Sequence, residues 1–163
     1  MALLKIKNAY TGRWTSKVHE IDIKYNEKVW TFVADLDTQD DTFVSFYDKA
    51  DGASILLRIE FLEDADLYSN QELENELAHG LYQADESLQC IGNGEVIIGK
   101  KSFNYIDYSF NNKLFGSQLV RHAYFKMDDY VVIFCASWGS SCEVVEAVNF
   151  PRKHMAFLNG LKL

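Results

Sequence analysis

The chain is poor in the residues that build most recognisable catalytic and metal sites. It has one proline and three cysteines in 163 residues. Cys90, Cys135 and Cys142 show no CxxC spacing, and an odd count makes no disulfide framework. Cys135, inside Val131–Ala136, reads as a small core residue. The histidines, His19, His79, His122 and His154, form neither an HExxH nor an HxH pair. A metal site would need ligands from scattered elements, so neither a metal nor a cofactor is expected. Basic residues are outnumbered, 16 Lys and Arg against 24 Asp and Glu, for a net charge of −8. That balance argues against nucleic acid as a partner, which calls for a basic face, and against docking on anionic lipid. No stretch approaches the ~20 apolar residues that span a bilayer. The opening Met1–Leu4 is shorter than the apolar run of about 7–15 residues in a signal peptide. The expectation is a cytoplasmic, reducing location.

Several motif-like stretches lack a decisive residue. Asp35, Asp37, Asp40 and Asp41 suggest a calcium loop, but Gln39 and Asp40 stand where that loop needs an acidic ligand and Gly. A solvated acidic loop is the better reading. Gly92, Gly94 and Gly99 open a strand rather than a helix, which is the wrong context for a dinucleotide fingerprint. Trp138–Ser141 lacks the spacing of a nucleophile elbow.

What is present is a strand-forming composition, 48% hydrophobic and 14% aromatic. A chain of this length buries roughly 70% of its unfolded surface and can build its own core. Alternation from Ile21 to Tyr25 predicts a strand, with a turn at Asn26–Lys28 and a second segment at Val29–Val33. Thr42–Tyr47 and Ala53–Leu62 read as a hairpin around Asp48–Gly52, with Gly52 supplying positive φ. The period then changes. Ser69 and Glu72 have capping-box spacing, and Leu73, Leu77, Leu81, Ala84 and Leu88 form one helical stripe. After Gly92–Gly94, strands are expected at Glu95–Ile98, Phe103–Phe110, Gln118–Met127 and Tyr130–Trp138, as a meander. Pro151 divides the end into a turn near Glu143–Val148 and a helix to about Asn159, with Gly160 as its cap. The order predicts a single α+β domain over residues 1–163, a mainly antiparallel sheet with flanking helices.

One hairpin gathers polar residues of the kind found in binding patches. Tyr105, Asp107 and Tyr108 precede the turn; Arg121, His122 and Tyr124 follow it. Cross-strand neighbours in such a hairpin can form either a binding patch or a stabilising set of pairs. A His beside an Asp could serve as a general base, but no nucleophile accompanies it, so catalysis is not expected.

Ile23, Tyr25 and Trp30 at the opening, Asp107-Tyr108-x-Phe110 and Arg121-x-Ala123-Tyr124-Phe125 in the meander, and Met155-x-x-Leu158-x-x-Leu161 at the end carry a resemblance. The layout resembles the PsbP-like and DcrB-like superfamily, which includes the Ran-binding import factor Mog. The resemblance implies a PsbP-like α/β/α sandwich. Its size and cytoplasmic character look most like the Eag chaperones of bacterial type VI secretion effectors. Those chaperones hold an apolar N-terminal segment of the effector, using glutamines at positions occupied here by Glu76 and His122. The implied function is a non-catalytic module for a protein partner, an effector or toxin, through Glu76, Tyr105, Asp107, Tyr108, Arg121, His122 and Tyr124. Two alternatives stay open. One is an immunity or adaptor protein against one folded, cationic partner. The other is a small-molecule site or enzyme built on Asp107, Arg121 and His122. Exposed strand edges also admit a homodimer.

Overall fold

Period-two stretches form the strands, and short polar turns set their order. The computed structural model describes residues 10–16, 19–34, 42–48, 50–61, 67–76, 87–114, 116–139, 144–145 and 150–162. Strands β1 (Gly12–Thr15) and β2 (Asp22–Tyr25) pair antiparallel. Strands β3 (Thr31–Ala34), β4 (Thr42–Asp48) and β5 (Ala53–Phe61) make a first meander. Helix α1 (70–76) follows. Strands β6 (Gln89–Ile98), β7 (Lys101–Asn112), β8 (Gly116–Lys126) and β9 (Tyr130–Gly139) make the second meander. The short strands β10 (Val144–Val145) and β11 (Phe150–Pro151) pair with each other. Helix α2 (Arg152–Leu158) and β12 (Leu161–Lys162) complete the order, and β12 pairs with β2.

The two meanders fuse because β9 returns beside β5. The result is a seven-stranded antiparallel sheet ordered β3-β4-β5-β9-β8-β7-β6. One face carries the main core. Phe46, Ile55, Leu57, Phe134 and Trp138 meet Ile23, Trp30, Phe157 and Leu161 from β2, the β2–β3 turn, α2 and β12. On the opposite face, Leu73 of α1 packs on Tyr124, Val131 and Ile133. The fold is α+β, mostly antiparallel sheet, with one helix on each face, as the element order predicts.

Local chemistry explains the ends of the helices. Glu72 N–H donates to Ser69 Oγ at 3.2 Å, and Ser69 N–H donates to Glu72 Oε2 at 2.8 Å. This reciprocal pair satisfies donors that the first helical turn leaves open. Residues 77–86, which hold most of the expected apolar stripe and His79, lie outside the described residues, as do the acidic loop 35–41 and residues 140–143 with Cys142. Helix α2 is tied to the β4–β5 turn by Lys153, whose ammonium donates to both Asp48 and Asp51.

Several boundaries differ from the sequence reading. Strand β1 and the short pairings β10–β11 and β12–β2 are not anticipated by any periodic pattern. Gly92–Gly94 lies inside β6 rather than ahead of it, beside a bulge between Cys90 and Gly92. Leu161, grouped with Met155 and Leu158 in the resemblance, sits in β12 beyond the helix. Asn159 caps α2 in a right-handed conformation, and Gly160 does not have positive φ, so it is not a left-handed cap. Its role is close approach: a Cβ there would lie 2.1 Å from the Lys24 carbonyl oxygen. Lys24 N–H donates to Gly160 O at 3.1 Å, which docks the chain end on β2.

Candidate functional site

Strand alternation sorts the β7–β8 hairpin into two sets. Asp107 is opposite Arg121 and Tyr105 is opposite Ala123, so Tyr105, Asp107 and Arg121 share the main-core face. Tyr108, His122 and Tyr124 project from the other face. The seven residues singled out in the sequence therefore do not form one patch. In particular, His122 and Asp107 point to opposite sides of the sheet, so Asp107 does not assist His122 as a base.

On the core face the ion pair has bidentate geometry. Arg121 Nε and Nη2 donate to the two Asp107 carboxylate oxygens, each at 2.6 Å. The guanidinium carbon lies 3.6 Å from the Tyr105 ring centroid, a cation–π stack. Tyr105 in turn lies across Gly94 of β6, where a Cβ would sit 2.8 Å from the phenol oxygen. Gly94 is thus the residue that lets β6 pass beneath this ring. Arg121 is 1% exposed, while the Asp107 side chain keeps 16% of its surface. Burial of the cation makes this cluster a cross-link of β6, β7 and β8 rather than a surface waiting for a partner.

The opposite face is buried as well. Tyr124 is fully buried and donates its hydroxyl to Glu74 Oε1 of α1 at 2.8 Å. Burial, then this bond to Glu74, raises the Tyr124 phenol above its ordinary range. Tyr108 is buried against Ile106 and Val120, and burial pushes its phenol up to about 12. His122 sits edge-on to Tyr108 at 6.1 Å between ring centroids. Burial, with a smaller contribution from the charge of Arg58, lowers its imidazole to about 4. His122 is therefore neutral at pH 7. Its Nδ1 is buried, with no hydrogen-bond partner among the described residues. Cys135, its register neighbour, has its thiol pushed up to about 12 by burial, which makes it a poor nucleophile. Glu76 stands exposed on α1.

The accessible apolar surface lies elsewhere. Strand β6 ends the sheet, and no described strand pairs with its outer side. It runs for ten residues and is exposed at every position from Gln89 to Glu95. Ile91 and Ile97 expose 56% and 60% of their surface. From sequence, Ile97 falls in a strand and Ile91 ahead of a turn, and no local pattern marks that strand as an outer edge. Val96, Ile97 and Ile98 are consecutive apolar residues in a strand, so one of them must leave the core face; that was the available signal. The opposite end strand, β3, has four residues. Among the described residues no three His, Cys, Asp or Glu side chains converge as a metal site would require. No described helix is long and apolar enough to cross a membrane.

No protein-family model matches the chain, and no curated protein matches it. Its fold is similar to a crystal structure from Bacteroides thetaiotaomicron VPI-5482, with a TM-score of 0.55 at 10% sequence identity. That superposition covers 92% of this chain and 47% of the other, so this chain spans about half the length of that protein. A likeness at this identity defines the class of fold, an α+β domain built on an antiparallel sheet, and nothing about activity.

Proposed function

We propose that this chain is a non-catalytic, cytoplasmic protein-binding module whose specific form is a chaperone or adaptor for a secreted effector carrying an apolar segment. The observation that carries the reading is β6. Long sheet edges with exposed aliphatic side chains are normally shortened, charged or covered, because their free N–H and C=O groups recruit other strands. Here a ten-residue edge with two exposed isoleucines ends the sheet. An extended apolar segment laid along β6 would gain backbone hydrogen bonds and side-chain contacts together. The net charge of −8 keeps such a complex dispersed. The hairpin residues Tyr105, Asp107 and Arg121 then support the partner surface from beneath, by holding β6 against β7.

Capture from native lysate, followed by mass spectrometry, tests this. Wild-type bait should recover a protein with an apolar segment, and Ile97→Lys bait should lose it, because an edge lysine blocks strand addition. Recovery of a folded cationic toxin that both baits retain would instead support an immunity protein that uses its acidic surface.

A further inference from the structure

A second site lies on the main-core face, where the start of β7 leaves the β6–β7 turn and Lys101 pairs with Ile98 of β6. The start of β7, the β8–β9 hairpin and the chain preceding β2 line a half-open pocket of about 330 Å³. That is the lower end of the range for small-molecule sites, about 300–1,000 Å³. Ile21, Phe125, Met127 and Val132 make its apolar wall; Lys101, Tyr130, His19 and Glu20 supply its polar atoms. Lys101 is half-buried, yet its partners among the described residues are soft. Its ammonium lies 3.7 Å from the Met127 thioether and 4.9 Å from the Phe125 ring centroid. Among the described residues no carboxylate pairs with it. A half-buried ammonium held only by a sulfur and a ring is short of strong acceptors. Tyr130, tilted against His19 at 4.6 Å between centroids, adds a phenol. Burial first, then Glu20 and Asp129, raise that phenol, so it stays protonated and able to donate.

We infer that this cavity binds a small organic acid, with its carboxylate on Lys101 and Tyr130 and an aliphatic or aromatic body against Ile21, Phe125, Met127 and Val132. A ligand carboxylate would give Lys101 the charged acceptor that no described residue supplies, and the apolar wall accounts for the rest of the ligand. Glu20 and Asp129 both act on Tyr130 and oppose each negative charge a ligand brings, so the ligand carries only one, held chiefly by Lys101. The inference does not rest on partner binding at β6.

Calorimetric titration with sodium octanoate and with 1-octanol separates charge recognition from apolar partition. Octanoate should bind about tenfold tighter than octanol or better, the scale of one charge-assisted hydrogen bond. Lys101→Met should remove that ratio. Lys101→Arg should keep it, and so should Lys113→Met on the β7–β8 turn. All variants are compared by amide NMR spectra, and shifts on octanoate addition should centre on Lys101, Phe125 and Tyr130. Equal affinity for the two probes overturns the inference. So does a ratio that survives Lys101→Met, or the absence of saturable octanoate binding to the wild-type chain.

Discussion

Asp107→Ala should weaken the fold more than an ordinary partly exposed substitution. The carboxylate makes two 2.6 Å hydrogen bonds to Arg121, whose guanidinium is 1% exposed and stacked on Tyr105. Removing one partner of a buried ion pair costs about 3–5 kcal/mol, because the remaining charge stays desolvated. Asp107 retains 16% of its side-chain surface, so water can partly replace it, and about 3 kcal/mol is the expected loss. For a domain of this size that lowers Tm by roughly 6–12 °C. Arg121→Met in the same chain removes the stranded cation, so the double variant should recover part of the loss. A double-mutant cycle by reversible urea unfolding should return a coupling of about 2 kcal/mol or more. A loss under about 0.5 kcal/mol for Asp107→Ala, or strict additivity, would refute the view that this pair cross-links the sheet.

Other outcomes follow from the same geometry. His122 and His154 have imidazoles lowered to about 4, by burial first in each case, against an ordinary 6.5. The unfolded chain therefore binds more protons between these values, and stability is full above pH 6.5 and lost as pH falls toward 4. The loss approaches about 3 kcal/mol per histidine, which urea midpoints from pH 7 to 4.5 would register and a flat profile would contradict. His154 lies 5.7 and 5.5 Å from the Trp30 and Trp138 rings, centroid to centroid, so tryptophan fluorescence should follow the transition. Gly160→Ala places a methyl 2.1 Å from the Lys24 carbonyl. Backbone cannot step aside cheaply, so the variant should lose about 1–3 kcal/mol and expose the β2 and β12 amides to exchange. Ser69→Ala breaks the capping box and should cost about 1 kcal/mol in urea unfolding; no change would remove that cap from the account.

Much of this architecture is legible in local chemistry. The second meander, the capping box at Ser69 and Glu72 and the turn at Gly52 all follow from short-range patterns, and Gly52 has φ 71°. Pairings between distant segments are not legible in this way. Nothing near Ala53–Phe61 announces β9 as its neighbour, and two-residue β12 has too few side chains to show a period. Gly92 and Gly94 illustrate a conflict between levels. Locally they favour a turn, but Tyr105 needs the space above Gly94, and tertiary contact keeps the chain extended. The Asp107–Arg121 pairing was readable from the hairpin, whereas its burial was not, because burial depends on Ala136 and the layers packed over the sheet. The separation of Tyr105, Asp107 and Arg121 from Tyr108, His122 and Tyr124 was present in the parity of the numbers, but only a known register shows which residues face the core.

The central claim is that a protein partner adds to the outer side of β6 while the polar residues of the β7–β8 hairpin remain structural. Hydrogen–deuterium exchange on the complex captured from native lysate, compared with the free chain, tests it most directly. The account predicts new protection concentrated in residues 89–98, with the already buried β8 amides around Arg121 and His122 unchanged. Protection elsewhere with β6 unaltered, or no complex to capture, would contradict it.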